Sequence, residues 1–163
     1  MSLTKTPSLD LENKKSPTLK VCLQDESSAT LKSLWEQQDY LVLYFYPRDN
    51  TPGCTTEAKD FQKNLSKFKK LNTRIIGCSP DSPSSHVKFM DKKNLKFDLI
   101  SDPDKKLCEK FKVWQLKQFM GRKFMGVIRS TFIINQSGKI IKIYQPVKVK
   151  EHAQNVLEFI KNV

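Results

Sequence analysis

The residues with the clearest chemical potential lie in one short stretch, 47–58, where a cysteine follows a turn and opens a helical pattern. Cys54 sits at that helix start, where free backbone N–H groups and the positive end of the helix dipole stabilise a thiolate over a thiol. Thr51, three residues earlier, can direct its hydroxyl to the same place. This placement favours a reactive cysteine over an inert one buried as a small hydrophobic residue, the usual fate of a lone cysteine.

A second unusual residue is Arg129, which lies within the otherwise apolar segment 127–134. An unpaired charge is costly in a buried strand, so Arg129 must reach solvent, pair with a carboxylate or face a site. Arginines that extend to solvent from a strand edge are common, and position alone leaves that alternative open.

Strands and helices alternate around these residues. The apolar run 41–46, ended by Pro47, predicts a strand buried on both faces. Apolar residues at helical spacing follow it up to Phe68. The remaining predicted elements are a strand at 74–78, a helix from about 83 to 94, a strand at 97–100, a helix at 104–111, a loop region at 112–125, strands at 127–134 and 139–144, and a closing helix at 153–160. This order predicts an α/β fold with a central mixed sheet and helices on both faces.

Length and composition set the domain organisation. The 163 residues are 38% hydrophobic, enough for one core, and the 28% charged residues are typical of a globular domain. Residues 1–15, rich in Ser, Thr, Lys and Pro, predict a flexible tail before one domain at 16–163. The longest apolar run is far shorter than the roughly 20 residues of a membrane span, and residues 1–17 lack the apolar stretch of a secretory signal. We therefore expect a cytoplasmic protein with no membrane partner.

The net charge of +12, from 29 basic and 17 acidic residues, makes nucleic acid a partner to consider. However, 25 of the basic residues are lysines and only 4 are arginines, and they are dispersed along the chain. A lysine-rich solvated surface is the simpler explanation. A basic protein associated with nucleic acid, with a nuclear location, stays as the alternative, and it rests on charge alone.

The remaining candidates for metal or redox chemistry are four cysteines and two histidines. No two cysteines are close enough for a metal-knuckle or C-x-x-C motif: Cys22, Cys54, Cys78 and Cys108. We therefore expect no structural metal site, and free thiols in a reducing compartment. The missing C-x-x-C motif also weakens thioredoxin-like disulfide exchange. His86 and His152 are expected on the surface, without a catalytic role.

Several segments, in order from about residue 16 to the end, resemble the peroxiredoxins. Within that family the chain most resembles the branch called bacterioferritin comigratory protein or peroxiredoxin Q. The segments are Phe45-Tyr46-Pro47, Thr51-Pro52-Gly53-Cys54-Thr55-x-Glu57-Ala58, Ile76-Gly77-Cys78-Ser79-Pro80-Asp81-Ser82, Ser101-Asp102 and Met125-Gly126-Val127-Ile128-Arg129-Ser130-Thr131-Phe132-Ile133-Ile134. The entry segment 16–21 is similar as well, although Thr18 replaces an acidic residue.

The resemblance implies a thioredoxin-like fold and a thiol-dependent peroxidase acting on hydrogen peroxide and organic hydroperoxides, with no metal, haem or flavin. Carried over by position, Cys54 is the peroxidatic cysteine, and Thr51 and Arg129 activate it. Pro47 shields the pocket, and Glu57 orients Arg129. The product on the protein is a sulfenic acid, which a thiol must reduce.

The sequence departs from this branch at both positions where its members usually carry a resolving cysteine, which are Lys59 and Met90 here. The simplest interpretation is a one-cysteine cycle with an external thiol: thioredoxin, glutaredoxin or glutathione. Resolution by one of the other cysteines stays open: Cys22, Cys78 or Cys108. The resemblance also favours a monomer over a dimer.

Overall fold

The computed structural model describes residues 7–163, in which nine strands and six α-helices follow a short 3-10 helix, Leu9–Leu11. The strands are β1 (Lys20–Leu23), β2 (Ser28–Thr30), β3 (Tyr40–Phe45), β4 (Thr73–Ser79), β5 (Asp98–Ser101), β6 (Trp114–Phe119), β7 (Arg122–Val127), β8 (Ser130–Asn135) and β9 (Ile140–Tyr144). The helices are α1 (Leu31–Trp35), α2 (Pro52–Lys63), α3 (Leu65–Lys70), α4 (Pro83–Lys93), α5 (Lys106–Lys110) and α6 (His152–Lys161).

Seven strands form the predicted central mixed sheet, in the order β2-β1-β5-β4-β3-β8-β9. The central strand β3 pairs in parallel with β4 and antiparallel with β8, so Leu43 lies between Ile76 and Phe132. The α/β fold predicted from the alternation of strands and helices is confirmed. No helix within 7–163 is long and apolar enough to cross a membrane.

The two faces of the sheet carry separate hydrophobic cores because successive side chains of a strand point to opposite faces. Leu43 and its neighbours on one side of β3 enter the first core, which packs against α1 and α5. Val42 and Tyr44 enter the second core, which packs against α2, α3, α4 and α6. Burying each large apolar side chain stabilises the fold by about 1.5–3 kcal/mol, so the second core firmly positions the start of α2.

The N-terminal segment differs from its prediction. Residues 1–6 of the predicted tail lie outside the described residues, but 8–15 pack against the domain. The amide of Asn13 donates to the carbonyl of Ile140 at 2.7 Å, the Ile140 amide donates to Lys14 at 2.9 Å, and Ser8 is buried. These hydrogen bonds cover part of the edge strand β9. They join backbone groups, so the polar composition of the segment does not reveal them.

Residues 112–125 also differ from their prediction, because most of the expected loop region is an antiparallel hairpin of β6 and β7. Met120 and Gly121 form its two-residue turn, with φ of 51° and 78°. Turns of this kind are usually signalled by Asn-Gly or Asp-Gly, so methionine at the first position conceals the hairpin in the sequence.

Candidate active site

The turn between β3 and α2 places Cys54 at the start of a helix, as predicted. Thr51 precedes the helix in an extended conformation, with φ of −94° and ψ of 158°, and Pro52 occupies the first helical position. Proline suits that position because its missing N–H has no helical partner to lose. Cys54 therefore lies in the first turn of α2, and only 2% of its surface is exposed.

Arg129 reaches Cys54 from the short link between β7 and β8. Its Nη2 donates to the Cys54 Sγ at 3.3 Å, and its Nη1 donates to the Glu57 Oε1 at 2.7 Å. Glu57 follows Cys54 by three residues, so both side chains lie on one face of α2. The guanidinium also packs on Gly53, where an added Cβ would lie 3.1 Å from Nη2. The structure thus brings together Cys54, Arg129 and Glu57, three of the five predicted site residues.

Burial governs the electrostatics of this cluster. Desolvation raises the pKa of Glu57 to about 7, although the charge of Arg129 and its hydrogen bond act in the opposite direction. Burial would lower the pKa of Arg129, but the adjacent Glu57 and Cys54 raise it overall. The Cys54 sulfur is therefore in direct contact with a partly buried cation.

Two buried oxygens near this cluster have no hydrogen-bond partner among residues 7–163: the Tyr44 hydroxyl and the Glu57 Oε2. Burial raises the pKa of Tyr44 well above its usual value, and the negative charges of Glu57 and Cys54 raise it further. Tyr44 therefore stays neutral. Each unpaired buried oxygen destabilises the folded state by about 1–3 kcal/mol, so other contacts of the fold must offset this cost.

The other two predicted site residues, Thr51 and Pro47, are less directly engaged. The Thr51 hydroxyl donates to the carbonyl of Arg48 at 2.9 Å. A hydroxyl has one proton to donate, so in this conformation it does not donate to Cys54. Pro47 is half-buried just beyond β3, and its shielding role stays a prediction.

A buried network that sequence reasoning missed anchors the turn before Cys54. The His86 Nδ1 lies 2.7 Å from the Asp49 Oδ2, and its Nε2 lies 2.9 Å from the Ile100 carbonyl oxygen. Tyr46 and Ser85 donate to the same carboxylate at 2.6 and 2.8 Å. The expectation that His86 is a surface residue is wrong, because it is fully buried and holds Asp49 against α4.

His152 is likewise buried rather than exposed, so its predicted surface position is also wrong. Its Nε2 lies 2.7 Å from the Thr131 Oγ1, which explains how a polar ring is tolerated there. Burial, together with the charge of Arg129, lowers the pKa of His152 to about 4. His152 is therefore neutral near pH 7.

Two groups of side chains within 7–163 have the spacing of metal ligands, but both use their carboxylates internally. One is Cys78, Asp102 and Cys108, and the other is Asp49, Asp81 and His86. Asp102 accepts the backbone N–H groups of Leu107 and Cys108 at 3.1 and 2.9 Å, and so caps α5. Asp49 is occupied by the network described above. Hydrogen bonds within the fold therefore account for both groups.

The other cysteines lie apart from Cys54. Cys78 and Cys108 are buried in the first core, on the opposite face of the sheet from Cys54. Burial raises the pKa of Cys78 well above its usual value, so it stays a thiol. Cys22 is half-buried on β1, three strand positions or about 14 Å from β3.

Comparison with known proteins identifies the family to which this chain belongs. The AhpC/TSA family model matches residues 13–143. Peroxiredoxin Bcp of Bacillus subtilis is 46% identical over 149 residues, which cover 91% of this chain and 94% of that protein. Peroxiredoxin Bcp of Escherichia coli is 35% identical over 142 residues, covering 87% and 91%.

Among solved structures, peroxiredoxin Q of Xanthomonas campestris superposes with a TM-score of 0.83 and 40% identity, covering 88% of this chain and 90% of that one. The chain therefore belongs to the AhpC/TSA family, with Bcp and peroxiredoxin Q proteins as relatives. It is a thiol-dependent peroxidase of thioredoxin-like fold: peroxide is its substrate and a thiol its reductant. These relatives support the peroxidase and not the nucleic-acid alternative.

Proposed function

We propose that Cys54 is the peroxidatic cysteine and that Arg129 activates it, in an enzyme that reduces hydrogen peroxide and small organic hydroperoxides. The observation that carries the proposal is the 3.3 Å contact between the Arg129 Nη2 and the Cys54 Sγ, with Nη1 held by Glu57. A guanidinium fixed in this way meets both the sulfur and the peroxide that approaches it. Bacterioferritin comigratory protein of Xanthomonas campestris has been studied for alkyl peroxide reduction, which supports the organic substrates.

The reaction follows from these positions. The Cys54 thiolate attacks the nearer peroxide oxygen, so an S–O bond forms as the O–O bond breaks. The departing oxygen takes a proton and leaves as water or an alcohol, and Cys54 becomes a sulfenic acid. Arg129 donates to the oxygens as negative charge moves onto the departing one. Thr51 adds a second donor once its hydroxyl rotates away from Arg48, Glu57 positions Arg129, and Pro47 limits the entry of water.

We propose a one-cysteine cycle in which an external thiol reduces the sulfenic acid, with thioredoxin, glutaredoxin or glutathione as the candidate reductants. Lys59 and Met90 occupy the two usual resolving positions. A disulfide needs Cα atoms about 4.4–6.8 Å apart. Cys22 lies on β1, which two further strands separate from β3, the strand that leads into the Cys54 turn. Cys78 and Cys108 would have to cross the sheet to reach Cys54.

Variants of the other three cysteines test the one-cysteine cycle. We expect Cys22→Ser, Cys78→Ala and Cys108→Ala to keep thioredoxin-driven turnover of hydrogen peroxide within about twofold, because inert thiols contribute little to a rate. The two alanine variants should lower the melting temperature, since each leaves a small cavity in the first core. Loss of turnover in Cys22→Ser, which retains the core, would identify Cys22 as a resolving residue.

We also propose that the protein is a monomer of a reducing compartment, the cytoplasm. Its four free thiols support that compartment. The net charge of +12 supports the monomer, because two copies repel each other. The relatives named above are bacterial, so they give no support to a nuclear location.

A further inference from the structure

The hairpin β6–β7 carries an unusual concentration of exposed apolar side chains. Within residues 7–163, eight large hydrophobic residues are exposed, and five of them belong to this hairpin: Leu116, Phe119, Met120, Phe124 and Met125. The hairpin pairs only with itself and is not part of the central sheet. Such a concentration of exposed apolar side chains on a globular protein marks an interaction site.

One face of the hairpin is directed towards the active site. Side chains alternate along a strand, so Lys117 shares a face with Phe119, and with Phe124, its partner across the hairpin. The Lys117 ammonium donates to the Val127 carbonyl at 2.8 Å, two residues before Arg129. Burial lowers the pKa of Lys117, as does the charge of Arg129, whereas Cys54 acts in the opposite direction. We call this surface, made of Lys117, Phe119 and Phe124, the site-side face.

The chain segment that contains the hairpin carries only positive charges, two of which are paired: Lys112 with Asp10 and Arg129 with Glu57. Residues 110–150 contain ten lysines or arginines and no aspartate or glutamate. Arg122 and Lys123 flank the exposed apolar residues at the start of β7. Such a surface repels a second copy of this chain, whose net charge is +12, and attracts an acidic partner.

We propose that the hairpin β6–β7 is the docking surface for a protein reductant, an acidic protein that carries two thiols. The inference rests on the external-thiol cycle proposed for Cys54. That cycle requires a foreign thiol to approach Cys54, and the site-side face adjoins the link that carries Arg129, the residue in contact with Cys54. Exposed aromatic residues surrounded by charges of one sign have the composition of a protein interface.

The exchange that this docking permits is balanced. A partner thiolate attacks the Cys54 sulfenic acid, an S–S bond forms, and the hydroxyl leaves as water with one proton. The second partner thiol then attacks the partner's own sulfur in the mixed disulfide. Cys54 leaves as the thiolate, and the partner is released as an internal disulfide, oxidised by two electrons.

Paired variants of the full chain test the docking surface. Phe119→Ser/Phe124→Ser removes the aromatic groups of the site-side face, and Leu116→Ser/Met125→Ser is the matched control on the opposite face of the same hairpin. The probe is a thioredoxin with an acidic surface, kept reduced by its reductase and NADPH. Dithiothreitol is the small-thiol reference. Hydrogen peroxide is the substrate when the two reductants are compared, and cumene hydroperoxide is the substrate that tests the peroxide pocket.

We expect the site-side variant to raise the KM for thioredoxin about tenfold, because aromatic residues dominate interface energies. Its dithiothreitol-driven turnover stays within about twofold of wild type, and the control variant stays within about twofold for both reductants. Added NaCl raises the wild-type KM for thioredoxin and leaves the dithiothreitol rate unchanged, since salt screens charge attraction.

Each of the following results would overturn the proposal. An unchanged KM for thioredoxin in the site-side variant, or an equal rise in the control, would remove the docking role. An altered KM for cumene hydroperoxide with both reductants would make the hairpin part of the peroxide pocket. If the wild type binds phosphatidylglycerol vesicles and the site-side variant does not, while its KM for thioredoxin is unchanged, the hairpin is a membrane-binding surface. If the wild-type protein turns over peroxide with dithiothreitol but not with thioredoxin, the docking proposal is refuted and the peroxidase proposal stands. If it turns over peroxide with neither reductant, the proposed cycle is refuted as well.

Discussion

Replacing Cys54 by serine is expected to lower hydrogen peroxide turnover with dithiothreitol by at least about a thousandfold, the scale on which enzymes lose activity with their nucleophile. The substitution changes one buried atom and preserves the helix start, so the fold is retained. A serine hydroxyl is not ionised near neutral pH and cannot form a sulfenic acid. The measurement is steady-state peroxide consumption by the purified variant.

The matched control for Cys54→Ser is Cys22→Ser, the same change at a cysteine on a distant strand. It should consume peroxide at the wild-type rate. Circular dichroism of both variants shows whether each is folded. Turnover by folded Cys54→Ser at the rate of Cys22→Ser would show that another group performs the reaction.

Replacing Arg129 by methionine is expected to lower the second-order rate constant with hydrogen peroxide by about 100- to 1,000-fold, the cost of losing one donor to a developing negative charge. The rate constant of Arg129→Lys should lie between those of wild type and Arg129→Met. Lysine keeps the charge but lacks the forked guanidinium that contacts Cys54 and Glu57 at once. Stopped-flow kinetics of the first peroxide addition measures this step apart from reduction by thiol. A rate within about twofold of wild type would remove Arg129 from the mechanism.

The Arg129→Met variant should also change how the free energy of unfolding depends on pH. Glu57 has an ordinary pKa of 4.5 and a pKa of about 7 in the folded protein. The folded state thus holds this proton more tightly, and the free energy of unfolding falls as the pH rises from about 4.5 to 7. Without Arg129, which lowers the Glu57 pKa, the decline should continue above pH 7. Urea unfolding measures this at pH 6 and pH 8.5. The loss in free energy of unfolding of Arg129→Met relative to wild type should be larger at pH 8.5.

The control for this pH effect is Arg129→Met combined with Glu57→Gln. An amide does not titrate, so the stability deficit of the double variant relative to Glu57→Gln alone should be the same at the two pH values. Breaking a buried ion pair on one side costs about 3–5 kcal/mol when the remaining charge cannot be neutralised. A deficit for Arg129→Met that is smaller at pH 8.5 would contradict the arrangement.

The sequence was sufficient for the parts of the site that depend on local chain chemistry. The apolar run that became β3, the proline after it and the cysteine at the next helix start are all local signals, and the structure agrees with them. Arg129 stands out in the sequence because it is a charged residue in an apolar segment. Its pairing with Glu57 was implied only by the family resemblance, since the two residues are far apart in the chain.

The features that were missed depend on contacts between distant residues. Asp49 resembled an ordinary turn residue and His86 a polar residue near a helix start, and nothing local indicates that the two meet in the core. The strands β6 and β7 carry exposed apolar residues on both faces, so they lack the alternation that identifies a half-buried strand. The orientation of the Thr51 hydroxyl towards Arg48 is likewise a matter of geometry alone.

The most direct test of the central claim is the intact mass of the wild-type protein after one equivalent of hydrogen peroxide, without added thiol and with a trap for sulfenic acids. We predict one trapped adduct per chain, mapped to Cys54 by peptide analysis. A loss of two hydrogens, mapped to a disulfide between Cys54 and another cysteine of the same chain, would contradict the one-cysteine cycle and leave the peroxidase. An unmodified Cys54 would contradict its role as the peroxidatic residue.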